Sequence, residues 1–360
     1  MWCGGDNLLY QYGINMDTFI QIIDNIGQKY KLWDYYDGKY DIRNSSGFIK
    51  NFIKDAGKSE ASLFEFIDEI KKKYSCRLEH IVNTFLLGFY FYTNADIVNR
   101  NVDKHLNRYR INGRSIDFAF IWFLICLFHD LGYIKEADSE NFKHSLKDEV
   151  ESLKYLPLRR AAGVPKFYKK IYKNYLDYTA TKLYHVDHGI YGGLTLFKDL
   201  CEIRARKETE KRNQNDNIDL YWGKDLIKVY NYAAWIILAH NIWFATTPRD
   251  RDQYEKHNLS ELIVTSPGNY KISCSKHPLL FLFCLVDTLE PQKKILCKDL
   301  LNSISWGVKR NSLYISFAKD IKNCSKITAY KKSISELNNW LTPTSSCDCI
   351  FKISLNQKTF

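Results

Sequence analysis

Five of the nine histidines in this 360-residue chain stand in apolar or glycine-rich helical surroundings: His80, His129, His185, His188 and His240. The stretch "FLICLFHDLGYIKE", residues 123–136, is oily for six residues and then presents His129 and Asp130 side by side. A buried polar group without a partner costs roughly 1–3 kcal/mol, so this pair needs something to hold. The same placement recurs along the chain: His80 in "RLEHIVNTFLLGFYFY", His185 and His188 in "HVDHGIYGG", His240 in "LAHN" and Asp287 in "LVDTLEP". A lone helical histidine is more often a core residue than a ligand, but an ordered series at the ends of oily helices points to metal. Adjacent helical residues point about 100° apart, so His129 and Asp130 do not chelate from one face. They can serve two neighbouring ions, with the carboxylate bridging, while Gly132 lets the chain turn away. Imidazole with carboxylate suits divalent transition metals (Mn, Fe, Zn, Ni or Co) better than Mg.

The ordered set H…HD…H…H…D over roughly residues 77–290 resembles the HD-domain superfamily of metal-dependent phosphohydrolases. A bare HD dipeptide carries no weight; "CLFHDLGY" after a buried helix, followed by "DHGIYGG" and a late helical Asp, does. The resemblance implies His80, His129, Asp130 and Asp287 as ligands of a first ion. Asp130 would bridge to a second ion held by His188 and His240. His188 is preferred over His185 because it adjoins the glycines, which leaves His185 to orient a ligand or serve as general acid; Asp187 is expected to be exposed or to support a ligand. The implied reaction is hydrolysis of a phosphate ester by a dinuclear metal-activated hydroxide. Two rival classes use the same pattern, a diiron oxygenase and a non-catalytic nucleotide sensor; a nuclease acting on single strands is a variant of the hydrolytic reading.

The elements that must position these groups read as helices up to about residue 300. Apolar residues at three- and four-residue spacing mark "DTFIQIIDNIGQKYKLW" and "SLFEFIDEIKKKY", with Asp17 and Ser59 as caps. Residues 116–128 are apolar all round, as a central helix should be. Two more helices follow at 223–243 and 277–290. After Pro291, "SISWGVKR", "NSLYISF" and "CDCIFKISL" turn to short β-rich stretches. The expected architecture is mainly α, an HD-type helical core with a small antiparallel appendage at the C-terminus. It divides into an N-terminal helical extension (1–60), the metal-binding domain (61–291) and a strand-rich region (292–360).

A net charge of +11 favours anionic partners, although a generally Lys-rich surface accounts for it equally well. Residues 152–182 hold eight Lys or Arg against one Asp, with six Tyr or Phe between them. Arg159, Arg160, Lys166, Lys169, Lys170 and Lys173 are the candidates for holding phosphates, with Tyr168 or Tyr172 stacking on a base. The bland alternative is a solvated amphipathic helix. A phosphorylated small molecule, first of all a nucleotide, is the expected ligand; nucleic acid ranks behind it, and oligomers are open. Ten scattered cysteines, several inside apolar runs, fit a reducing cytoplasm. Cys347 and Cys349 form a single CxC pair, a weak metal signal. The longest apolar run, 118–128, is shorter than the roughly 20 residues that span a bilayer.

Overall fold

The computed structural model describes residues 17–22, 25, 75–111, 113–130, 132–133, 158–213, 223–265, 271–291, 303–309, 312–317, 325–342 and 352–355. The expected helix over 62–74, its Ser59 cap, His144 and the Cys347/Cys349 pair lie outside them, as does most of the 1–60 extension. The helical core comprises α1 (Ser75–Asn94), α2 (Asp96–Leu106), α3 (Phe118–Phe128), α4 (Tyr168–Tyr178), α5 (His188–Asn213), α6 (Leu226–His240), α7 (Pro248–Lys256) and α8 (Pro278–Leu289).

α3 and α6 are the inner helices. In α3, "FAFIWFLICLF" buries every side chain except Phe120, and the Asp117 carboxylate starts it by accepting from Ala119 N at 2.9 Å. α6 packs against α3, α5 and α8, while α1 packs against α3 and α8. The α5–α6 crossing is close because Gly193 lies against the Ala234 carbonyl, where a Cβ would collide. The glycines of "IYGG" therefore serve helix packing. α5 runs on through the polar residues 202–213, helped by the Arg204–Glu208 pair at 2.8 Å. The cap near residue 17 is Thr18, not Asp17: Thr18 N donates to Gln21 Oε1 and Gln21 N to Thr18 Oγ1, a reciprocal capping box. Asp17 instead pairs with a strand.

The C-terminal region is strand-rich, as its alternating pattern predicts. β5 (Ile304–Lys309) and β6 (Ser312–Phe317) pair antiparallel, with Ile304 opposite Phe317 and Trp306 opposite Ile315 on the buried face. β1 (Asp17–Thr18) adds antiparallel to β5, and β8 (Lys352–Leu355) adds parallel to β6. The sheet thus recruits an N-terminal strand and mixes both directions. Between its strands lies α9 (Ser325–Leu337), whose Ile327, Tyr330, Ile334 and Leu337 form the buried stripe. Tyr330 donates its hydroxyl to the Leu289 carbonyl at the end of α8. β7 (Leu341–Thr342) pairs parallel with β4 (Ile272–Ser273) just before α8. Among the described residues no helix is long and apolar enough to cross a membrane.

Two further histidines, His105 (buried) and His277 (half-buried), are held neutral. Burial, with Arg108 nearby, lowers His105 to about 4; burial, with Lys276 nearby, lowers His277 to about 4. His277 Nδ1 accepts from Ser273 N, a contact only the unprotonated nitrogen can make. Both fold below the unfolded value of about 6.5, so the unfolded chain binds up to two more protons between about pH 4 and 6.5. Their contribution to stability is complete above about 6.5 and is lost as pH falls to about 4. Thermal melts of metal-free protein should give a Tm flat above pH 7 and falling through that window, with a shallower fall in His105→Asn.

Candidate metal centre

The imidazoles of His80, His129 and His240 share one arrangement. His129, the residue capping α3, turns Nδ1 back to the Cys126 carbonyl at 2.7 Å. His240, the last residue of α6, does the same to the Ile237 carbonyl at 2.5 Å. His80, in α1, directs Nδ1 to Glu290 Oε2 at 2.7 Å. Because these carbonyls and the carboxylate accept, Nδ1 carries the proton in each ring, and Nε2 presents a lone pair inward. His240 is buried, its Nε2 has no hydrogen-bond partner among the described residues, and burial lowers it to about 3 against the pull of Asp287.

At the centre, acceptors face one another. His80 Nε2 and His129 Nε2 are 3.1 Å apart, and Asp287 Oδ1 lies 3.0 Å from the first and 3.6 Å from the second. Such spacings match ligands of one ion: atoms about 2.0–2.2 Å from a metal stand about 2.9–3.6 Å apart in tetrahedral or octahedral geometry. One proton could satisfy one of these contacts, whereas a divalent cation satisfies all three. All three ligand atoms lie within 4.8 Å of each other, so His80, His129 and Asp287 fit a single ion.

Asp130, fully buried, adjoins this set. Its Oδ1 is 3.1 Å from His129 Nε2, and its Oδ2 is 3.1 Å from Arg77 NH1. Gly132 is needed for close approach, since a Cβ there would collide with the His188 carbonyl. The His240 ring stands 5.6 Å from His129 and 5.4 Å from His188, with Phe283 5.2 Å from both His129 and His240 as an apolar wall. All six expected ligands therefore gather in one region, and three of them within reach of one ion.

His188 is held differently. Asp187 is buried rather than exposed: its Oδ1 accepts from Ile190 N, starting α5, and its Oδ2 accepts from Asn241 Nδ2 at 2.7 Å. The same amide nitrogen lies 3.3 Å from His188 Nδ1. An amide N–H only donates, so here Nδ1 accepts and Nε2 carries the proton. Tyr133 stacks on the His188 ring at 3.8 Å, and the Arg77 guanidinium lies 3.7 Å from the Tyr133 centroid. His185 precedes the helix: Tyr184 is left-handed (φ 57°) and α5 begins at His188, so the two histidines do not share a helical face.

The basic segment departs from expectation in its aromatics. Tyr168 is 0% and Tyr172 6% exposed, and Tyr172 packs edge-on against Trp235 at 5.7 Å, so neither ring is open to a base. Lys170 pairs with Glu261 at 2.8 Å, and Lys173 Nζ sits 6.0 Å above Tyr172. Arg159, Arg160, Lys166 and Lys169 are exposed. Sequence reading passed over Glu290, Arg77, Tyr133 and Asn241. Spacing carried some signal: Glu290 follows Asp287 by three residues, and Arg77 precedes His80 by three.

No family model matches the chain, and no curated protein or solved structure matches it significantly.

Glu290, 1% exposed and also held by Asn83 Nδ2 at 3.1 Å, is the residue that orients His80. Glu290→Gln should weaken metal binding about 10–100-fold in a chelator competition, with little change in the far-ultraviolet circular dichroism. Unchanged affinity would make Glu290 a packing residue only.

Proposed function

We propose that this protein is a metal-dependent phosphoester hydrolase of the HD-domain type, acting on a phosphorylated nucleotide or cyclic nucleotide. The observation that carries the reading is the set of mutually facing acceptors, His80 Nε2, His129 Nε2 and Asp287 Oδ1, with Asp130 beside them. His80, His129, Asp130 and Asp287 would hold the first ion, and His188 and His240, with Asp130, the second. Divalent ions bound there supply Lewis acidity and a strong oxygen nucleophile at neutral pH.

The chain's own groups support phosphate as the substrate. Arg77 engages Asp130 through one nitrogen, and its side chain is 18% exposed, so further N–H donors can meet a phosphoryl oxygen. Hydrolysis forms a P–O bond from water and breaks the ester P–O bond, whose oxygen must then gain a proton. His185, the candidate from the sequence, is the source for it on this reading, because a His188 that holds an ion through Nε2 has no proton there to give. A +11 chain suits an anionic substrate.

A second reading has its own support: Arg77 already neutralises Asp130 Oδ2, and His188 holds a proton on Nε2. In it one ion is bound, and Arg77 takes the place of the second cation. Elemental analysis separates the two. On the two-ion reading the protein carries two Mn, Fe, Zn, Ni or Co per chain, and Asp130→Ala loses most of both; a full complement in that variant would end the bridging assignment. One ion per chain assigns the second reading. Under either, wild-type protein with Mn should hydrolyse bis-p-nitrophenyl phosphate and a nucleotide from a screen, and Arg77→Gln should raise KM about tenfold. Metal-loaded protein that turns over no phosphate ester would overturn the hydrolase.

A further inference from the structure

The segment leading into α4 gathers cationic side chains around a hollow in the surface. Arg160, Val164, Lys166, Lys169 and Trp235 line a shallow recess in the surface. Three of these side chains are cationic, none of the lining residues is acidic, and among the described residues none of the three forms an ion pair. The neighbouring turn behaves otherwise, since Lys170 has Glu261 and Lys173 lies over an aromatic ring. Like charges gathered around one hollow repel one another unless an anion joins them.

The backbone carrying these charges is clamped. Arg159 N donates to Asn231 Oδ1 at 2.8 Å, and the Arg159 carbonyl accepts from Asn231 Nδ2 at 2.8 Å and from Trp235 Nε1 at 2.7 Å. Asn231 is 6% exposed, so α6 grips this loop as a strand would grip its neighbour. Tyr109 donates its hydroxyl to the Ala162 carbonyl at 3.0 Å, and Leu158, Ala161 and Pro165 are buried beneath. The hollow is a fixed feature whose cations extend from a rigid base, which lowers the ordering cost of binding.

This recess is separate from the metal centre. Trp235 and His240 are five residues apart on α6, so they point about 140° apart around its axis. The recess therefore opens on a different side of α6 from the one that carries His240. We infer that Arg160, Lys166 and Lys169 form a binding site for a phosphate monoester dianion, with Arg160 as the bidentate donor. The recess is shallow, so the phosphate group would sit over the three cations at its rim while the rest of the ligand stays outside. Its binding is independent of what the metal centre catalyses.

The test is calorimetric titration of the full chain with inorganic phosphate and, separately, a nucleoside monophosphate, each with the metals present and after chelation. Binding that survives chelation and falls at least tenfold in Arg160→Gln/Lys166→Gln/Lys169→Gln is expected. Lys170→Gln/Lys173→Gln should bind as wild type does, and metal content should be unchanged in every variant. Phosphate alone binding as tightly as the monophosphate identifies the free ion as sufficient; a tighter monophosphate identifies the ester, and both sustain the site. Should the triple variant fold poorly, Arg160→Gln alone is expected to weaken binding about fivefold. Loss of all binding on chelation, equal weakening in the Lys170/Lys173 variant, or wild-type affinity in the triple variant would each overturn the site. So would weakened binding to a single-stranded oligonucleotide with phosphate affinity intact.

Discussion

Three acceptors facing one another at the helical core are the constraint on which the rest of the fold turns. His80 Nε2, His129 Nε2 and Asp287 Oδ1 come within 3.0–3.6 Å on three different helices. Left to themselves they repel, and burial strips away the water that would screen them. The surrounding architecture keeps them there regardless. α3 and α6 are too apolar to present their ends to solvent, and α1 and α8 are pressed against α3 and α6 respectively. The cost of holding this geometry falls on packing, and a cation would offset it.

The imidazole orientation follows from where each helix stops. His129 and His240 stand at helix ends, where the carbonyl three residues back is still within reach of Nδ1. Helix termination thus supplies both the exit of the chain and the tautomer of the ring. His80, inside α1, has no such option and is oriented by a carboxylate from the far end of α8. His188, opening a helix, is oriented by an amide and carries the opposite tautomer. Four imidazoles in one cluster are held by three kinds of partner, and only the helix-end kind is written in local sequence.

That difference accounts for what was legible. The mainly α core with a strand-rich C-terminal part follows from period: α3, α6 and α8 are unbroken apolar runs, and Leu313, Ile315 and Phe317 alternate. The gathering of six histidines and aspartates was readable because a polar group closing an oily helix is costly to bury unless something binds it. What sequence did not disclose are partners set by tertiary approach. Glu290 meets His80 across 210 positions, and Tyr168 and Tyr172 turn inward, Tyr172 onto Trp235 of α6. A basic-aromatic stretch has the same composition whether its rings are exposed or buried. The entry of β1 into the C-terminal sheet is likewise a pairing of distant segments, invisible to periodicity.

The bond from Tyr330 to the Leu289 carbonyl joins the strand-rich region to the last turn of α8, between Asp287 and Glu290. Leu289 is one residue from the carboxylate that orients His80 and two from a carboxylate of the centre itself. Anything that steadies this turn also steadies the ligands, and anything that draws the ligands together steadies the turn. The relation is reciprocal by thermodynamic necessity. A metal held by these residues would therefore be coupled to α9 and the sheet around it, and binding there would change metal affinity by the same factor. A region that supplies none of the six ligands would act as a handle on the centre.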